Sequence, residues 1–469
     1  MSAGKTQDRG FYVSPGGGGE IVIRKWSTDL ARALAETRSA KLRISDWQEP
    51  GLEALVPFCD QIVRIFVECD IADLSAVAQL TKLEELNVRG GLETIDFSRV
   101  RHLKTLGVSD SAPRFGSLSA CASLRVLSIT DCGLRDLTPL SGLRALTELD
   151  VSEAPLKSLA GIEGLPSLRR LALLQVPIGS LDGLQHATNL SELVMASVGR
   201  LQSVAPATML LGLKMLDIDG ARKVADVERI GEMTALEDLR LTSVSLPSVA
   251  FLSRLSRLKQ LVLNSVGKIP SLAFLRGLTN LESFAPGLST AVEDGDMSIL
   301  LELPSLKRVT YTERRHYRPG WAEISSTLIS RHTCGIGSFE NAMAQEWIAM
   351  LEKRDPVSWI GNTLREATAY GSDSEVPALA GQYAIAAAEV VARLKESGAG
   401  GGPLPDSLER WMRDHSIVSS PAAHVEAATA ALERIARPPS GLLRVWEERG
   451  EAVAWLEQVS ELKSRLVSA

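Results

Sequence analysis

Apolar residues along this chain follow a compound rhythm that returns about every 22 residues. Leu124, Leu127 and Ile129 lead into Leu134, Leu137, Leu140 and Leu143; Leu146, Leu149 and Val151 lead into Leu156, Leu159, Ile162 and Leu165. Leu168, Leu171 and Leu173 then lead into Ile178, Leu181 and Leu184. The first half of each unit ends in period-two alternation, which predicts a short strand with one buried face. The second half is apolar at every third position, which suits 3₁₀-like turns rather than a full α-helix. One such unit cannot bury its own leucines, whereas stacked copies give them a continuous core. The pattern therefore predicts a solenoid of parallel strands.

The first leucine of each L-x-x-L-x-L run marks a repeat, and markers fall at Ile62, Leu83, Leu103, Leu124, Leu146 and Leu168. They continue at Leu190, Leu213, Leu236, Leu258, Leu281 and Leu306, and a degenerate earlier copy includes Leu42 and Ile44. Strands stacked about 4.8 Å apart would give a concave sheet on the order of 50 Å along its arc. The segment LRDLTPLSGLRALTELDVSEA, from Leu134 to Ala154, resembles leucine-rich repeats of the 22-residue kind, as in internalins and the small phosphatase-regulator type. That resemblance implies a parallel β-sheet horseshoe with 3₁₀-like convex turns, an α/β fold used for binding. Those families usually place an asparagine shortly after the strand, where it bonds to neighbouring backbone. Here that position holds Cys132, Ala154, Val176, Val198, Ala221, Val244 and Val266, so the asparagine ladder is missing.

The flanks differ from the repeats. Residues 1–20 are polar and glycine-rich and are expected to form a disordered tail; Gly16 to Gly19 lack the following Gly-Lys-Ser/Thr of a phosphate loop. Residues 21–41 read as an N-terminal cap, with a strand at Ile21 to Ile23 and a helix capped by Ser27 or Thr28. The solenoid is expected over 42–311 and a cap or linker over 312–333, which carries the basic cluster Arg314, Arg315, His316 and Arg318. From Cys334 the composition turns alanine-rich, and 334–469 reads as an all-α helical domain. Helices are expected at 341–352, 356–370, 376–396, 405–415, 421–436, 440–449 and 451–467, with a glycine run at 398–402 as the main break.

This C-terminal part resembles a bacterial family of unknown function whose members open Trp-Gly-x-Gly-x-Phe-x-Asn-Asp. Gly335, Gly337, Phe339 and Asn341 match, while Cys334 and Ala342 replace the Trp and the final Asp. The stretch Ala384 to Glu389 and the late Trp446 and Trp455 fit as well. The resemblance implies a domain boundary and a bacterial origin, and no reaction.

Charge and composition narrow the function. The net charge is −6, and all of the excess lies beyond residue 333, with 13 basic and 19 acidic residues against 38 and 38 before it. This gives no general case for nucleic acid or anionic membranes, and no apolar run approaches the roughly 18 residues a membrane span needs. Five cysteines at irregular spacing do not make a disulfide framework and read as buried thiols in a reducing cytoplasm. His102, His186, His316, His332, His415 and His424 are scattered, so no metal or cofactor is expected. No nucleophile elbow, dinucleotide turn or kinase set is present. The chain is therefore expected to be non-enzymatic, with the helical domain's task left open.

Alternation assigns the concave side chains. Glu148 and Asp150, then Arg170 and Leu174, then Glu192 and Val194 face that side. Met215, Asp217 and Asp219 follow, and then Asp238 and Arg240. An apolar centre of Leu174, Val194 and Met215 within a charged rim is the anatomy of a protein interface. The sequence thus points to a bacterial cytoplasmic binding protein. Its leading specific role is that of an immunity protein neutralising a basic toxin; a scaffold or defence sensor is the chief alternative, and an enzyme activity in the helical domain the weaker one.

Overall fold

A computed structural model describes residues 11–13, 20–109, 115, 117–287, 289–332, 337–339, 342–351, 355–395, 404–405, 408–409, 411–412 and 422–468. Chain contacts divide it into two units, the first mainly Met1–Pro270 and the second mainly Asp294–Ala469.

The first unit opens with β1 (Phe11–Val13), which pairs antiparallel with β2 (Ile21–Ile23). Phe-Tyr-Val is thus a strand inside the segment expected to be a disordered tail. Three residues of high β-propensity are too few to register as a periodic pattern. Helix α1 (Thr28–Glu36) follows; Ser27 accepts the Leu30 amide at 3.1 Å as its N-cap, and Leu30 and Leu34 are fully buried.

Every later strand of the main sheet runs parallel to its neighbours. They are β3 (Ala40–Ile44), β4 (Ile62–Val67), β5 (Glu85–Val88), β6 (Thr105–Ser109), β7 (Val126–Thr130) and β8 (Glu148–Ser152). Then come β9 (Arg170–Leu174), β10 (Glu192–Ala196), β11 (Met215–Asp219), β12 (Asp238–Thr242) and β13 (Gln260–Asn264). A two-stranded side pair, β14 (Lys268–Ile269) and β16 (Ala291–Val292), flanks β15 (Ser283–Ala285), and β17 (Arg308–Val309) ends the 15-stranded sheet. Between strands the chain makes 3₁₀ turns such as Thr138–Leu140, Ile162–Gly164 and Leu184–His186, as the third-position spacing predicts, and one short helix, α2 (Ala205–Thr208).

The strand leucines stack in register. Leu127, Leu149, Leu171, Leu193, Leu216, Leu239 and Leu261 pair in sequence across β7 to β13 and are fully buried. At roughly 1.5–3 kcal/mol per buried leucine, this column outweighs any polar contact in the unit. The missing asparagines are replaced by backbone. After each of β7 to β12 one residue adopts left-handed φ: Asp131 (50°), Glu153 (54°), Gln175 (54°), Ser197 (57°), Gly220 (78°) and Ser243 (54°). Its amide donates to the last strand carbonyl of the next repeat, as in Gln175 N to Ala196 O at 2.8 Å and Ser197 N to Asp219 O at 2.9 Å. The next residue then turns inward, so Ala154, Val176 and Val198 are buried where asparagine would sit.

In the second unit, α3 (Ile299–Glu302) and β17 meet α4 (Trp321–His332), a helix lying in the stretch expected to be cap or linker. Tyr311 packs edge-on against Trp321, ring centroids 5.4 Å apart. Helices α5 (Ala342–Leu351), α6 (Pro356–Ala369) and α7 (Ala378–Lys395) follow. The unit ends with α8 (Ala422–Ile435), α9 (Gly441–Glu448) and α10 (Ala452–Val467). The helix expected at 405–415 lies largely outside the described residues, as do Cys334, Gly335 and Asn341.

Helix α7 is the hub of this unit. Its alanines bring α5, α6, α8, α9 and α10 close around it, and α4 packs on both α7 and α9. Glu389 on α7 is buried and takes Arg393 Nε at 2.7 Å and Arg465 Nη1 at 3.0 Å, with Ser338 Oγ at 3.3 Å. A buried carboxylate needs such partners, and removing one side strands the other.

Two outcomes follow from this packing. Leu149→Ala should cost the solenoid about 2–5 kcal/mol, read as a lower chemical denaturation midpoint; an unchanged midpoint would contradict its inward placement. Because α4 packs on both the last repeat and α7, a fragment of Asp294–Ala469 should melt cooperatively and at a higher temperature than one of 334–469. Equal melts would show that α4 adds nothing.

Candidate functional site

The open face of the sheet carries the side chains that alternate with the leucine column. Across β8 to β12 it presents Glu148, Asp150, Arg170, Leu174, Glu192, Val194, Met215, Asp217, Asp219, Asp238 and Arg240, all half-buried. The register shows how the apolar three are arranged. Leu174 pairs with Ala196, Val194 with Ala172 and Asp217, and Met215 with Glu192 and Asp238. Leu174, Val194 and Met215 thus step down by two residues per strand and form a diagonal rather than a row. Such diagonal neighbours on one face remain within reach of long side chains. Ala172 is buried and too short to rise between Asp150 and Val194, so it floors a dip beside the diagonal.

Charge is divided unevenly over the sheet. Near its start, ion pairs consume it: Arg43 bridges Glu20 at 2.9 Å and Glu68 at 2.8 Å while stacking over Phe66, and Arg64 meets Glu85 at 2.7 Å. Across β8 to β12 neutralisation is partial. Arg170 stands 3.7 Å from Asp150 and 3.6 Å from Glu192, reaching across three strands. Arg240 forks the Asp238 carboxylate with bonds of 3.1 and 2.9 Å. Six carboxylates, at Glu148, Asp150, Glu192, Asp217, Asp219 and Asp238, face these two guanidinium groups. Burial pushes the Asp217 carboxyl above its ordinary range; Arg240 opposes this, and Asp238 and Asp219 add to it. An Asp150 oxygen is buried without a hydrogen bond. The alternation located these side chains, whereas Arg170 as a bridge and Asp217 as the strained carboxylate depend on register.

The chemistry elsewhere is sparse. Among the described residues, no group of three or more His, Cys, Asp or Glu is placed to hold a metal ion. Cys121 and Cys132 are buried, while Cys59 and Cys69 are only half-buried, which corrects the expectation of buried thiols throughout. Burial raises the Cys121 and Cys69 thiols, and a hydrogen bond to Asp60 raises Cys59. An activated nucleophile needs the opposite shift. No helix among the described residues is long and apolar enough to cross a membrane.

Parallel strands linked by 3₁₀ turns, repeated in register and followed by helices, define a leucine-rich repeat protein with a C-terminal helical domain. Residues 333–458 match a family model described as a domain of unknown function (DUF4259). Among solved structures, a leucine-rich repeat protein of Leptospira interrogans is similar over 65% of this chain and 92% of its own, with 17% identity and a TM-score of 0.50. An internalin of Listeria monocytogenes is similar over 59% of this chain and 79% of its own, with 20% identity and a TM-score of 0.49. Comparison with curated proteins finds no match.

The raised Asp217 carboxyl gives a signed pH effect. Its folded-state value lies above the unfolded one, so its neutral form favours folding at low pH and that contribution is lost as pH rises through the folded value. Asp217→Asn should therefore raise the denaturation midpoint at neutral pH, with the gain shrinking as pH falls through the carboxylate range. An equal gain at every pH would contradict the assignment.

Proposed function

We propose that the open face across β8 to β12 captures a protein partner, with Leu174, Val194 and Met215 at its centre. The observation that carries this reading is an apolar diagonal set among carboxylates that the chain's own cations neutralise only in part. A partner bringing Lys or Arg would pair those carboxylates and cover the diagonal, the division between centre and rim that interfaces use. A basic partner fits, and the specific role we favour is a cytoplasmic immunity protein that neutralises a toxin, a nuclease being a suitable basic class. Unpaired half-buried thiols at Cys59 and Cys69 agree with a reducing compartment. A scaffold or sensor is the second reading, favoured by the separate helical unit, which would engage another protein. An enzyme activity in the helical unit is the third and weakest reading.

Central contacts of such an interface are each worth roughly 2 kcal/mol or more on truncation, while rim charges mainly govern association rate and its salt dependence. Leu174→Asn with Val194→Asn, which add no charge beside Asp217, should abolish capture of the native partner and leave the thermal melt nearly unchanged. Neutralising Asp150, Asp217 and Asp238 to Asn should slow association and flatten its salt dependence. Unchanged affinity in the double variant would move recognition away from this face. A bound partner that loses its toxic activity supports immunity, and one that keeps its activity supports the scaffold.

A further inference from the structure

A second surface is formed by the residue that immediately precedes each strand. Its carbonyl accepts two amides from the next repeat: Thr147 O takes Arg169 N at 2.8 Å and Arg170 N at 3.0 Å. The ladder therefore fixes the backbone of this row. Its lysines in the first unit are neutralised from an adjoining repeat, Lys104 by Glu84 at 2.9 Å, Lys214 by Glu237 at 3.5 Å and Lys259 by Glu237 at 2.7 Å. Its two arginines, Arg125 and Arg169, form no ion pair among the described residues. They stand two repeats apart, about 10 Å at the spacing of parallel strands, on either side of Thr147.

Between them lies a polar notch of about 280 Å³, lined also by Ala145, Ser167 and Asn189. Polar neighbours are already engaged: Thr147 Oγ1 donates to Arg125 O at 2.9 Å, and Asn189 Nδ2 donates to Pro166 O at 2.8 Å. Arg125 Nη1 donates to the carbonyls of Ala122, Ser123 and Leu124 at 3.1–3.3 Å, which restrains that guanidinium. Its remaining N–H groups make no bond among the described residues. Arg125 and Arg169 both line the notch, and no carboxylate does.

We propose that this notch binds a phosphoryl group, carried by inorganic phosphate or by a phosphate monoester. Two arginines lining one notch call for an acceptor that offers oxygens to both. A tetrahedral phosphate supplies them and can take a fork of parallel bonds from each arginine, whereas one fork matches both oxygens of a carboxylate. The notch is distinct from the acidic open face and does not depend on what that face binds.

The test uses the full chain at constant ionic strength, titrated with inorganic phosphate, O-phospho-L-serine or acetate. The side-chain Nε–Hε resonances of Arg125 and Arg169 are followed by NMR. Both should shift saturably with phosphate, with phosphoserine or with both, the effective probe identifying the source. Acetate should produce a linear drift only. Arg169→Gln should weaken the Arg125 response to phosphate about tenfold, as loss of one charge-assisted fork implies, while the thermal melt stays unchanged. Shifts that never saturate, acetate saturating as phosphate does, or an Arg125 response unaltered by Arg169→Gln would each overturn the site.

Discussion

The central repeats of the solenoid, from β7 to β12, depend on how the chain leaves each strand. A left-handed turn outside glycine costs about 1–2 kcal/mol, yet Asp131, Glu153, Gln175, Ser197 and Ser243 all adopt it. The amide each turn presents bonds to the neighbouring repeat, which returns about 1 kcal/mol and avoids the larger penalty of an unpaired buried donor. The turn also points the following residue inward, and there Val176 or Val198 adds apolar burial that an asparagine would not. Leucine burial supplies most of the stability; the turn and its ladder set the geometry. None of the residues named at this turn is β-branched, the class for which positive φ is most strained.

With register held by backbone at both ends of the strands, side chains on the open face are released from structural duty. The ladder at the leading end runs through residues such as Arg125, Thr147 and Arg169, and the trailing ladder through residues such as Gln175 and Ser197. Between them, β8 to β12 tolerate a surplus of carboxylates and an apolar diagonal that a monomeric sheet gains little by keeping. The contrast lies within the same sheet, where Arg43 and Arg64 are satisfied by their own neighbours. Unsatisfied charge is concentrated, and that concentration singles out both the acidic face and the arginine notch.

The leucines made the strands, the 3₁₀ turns and the outward-facing side chains legible, because burial alternates strictly with position. Three features were hidden. The diagonal of Leu174, Val194 and Met215 depends on cross-strand register, which the repeat spacing states only when the shared strand start is counted exactly. The left-handed turn is masked because Asp, Glu, Gln and Ser at that position have no common local signature outside glycine. Helix α4 reads as cap or linker because the stretch before it mixes charge, aromatics and proline, and its short stripe of Trp321, Ile324 and Leu328 at i, i+3 and i+7 is set among serines and threonine. The helical domain was recognisable as helices, but the Glu389 cluster joins α7 to Arg465 on α10 and to Ser338, pairings that no local window contains.

The central claim is that a backbone ladder at the left-handed turns replaces the asparagine ladder. Amide hydrogen exchange of the full chain tests it most directly, read at Glu153, Gln175, Ser197, Gly220 and Ser243. These amides should be protected to the same degree as the adjoining strand amides of Val151, Leu173 and Met195, and should exchange with them in one cooperative opening. Exchange at these five positions at the rate of exposed loop amides, with the strands still protected, would contradict it.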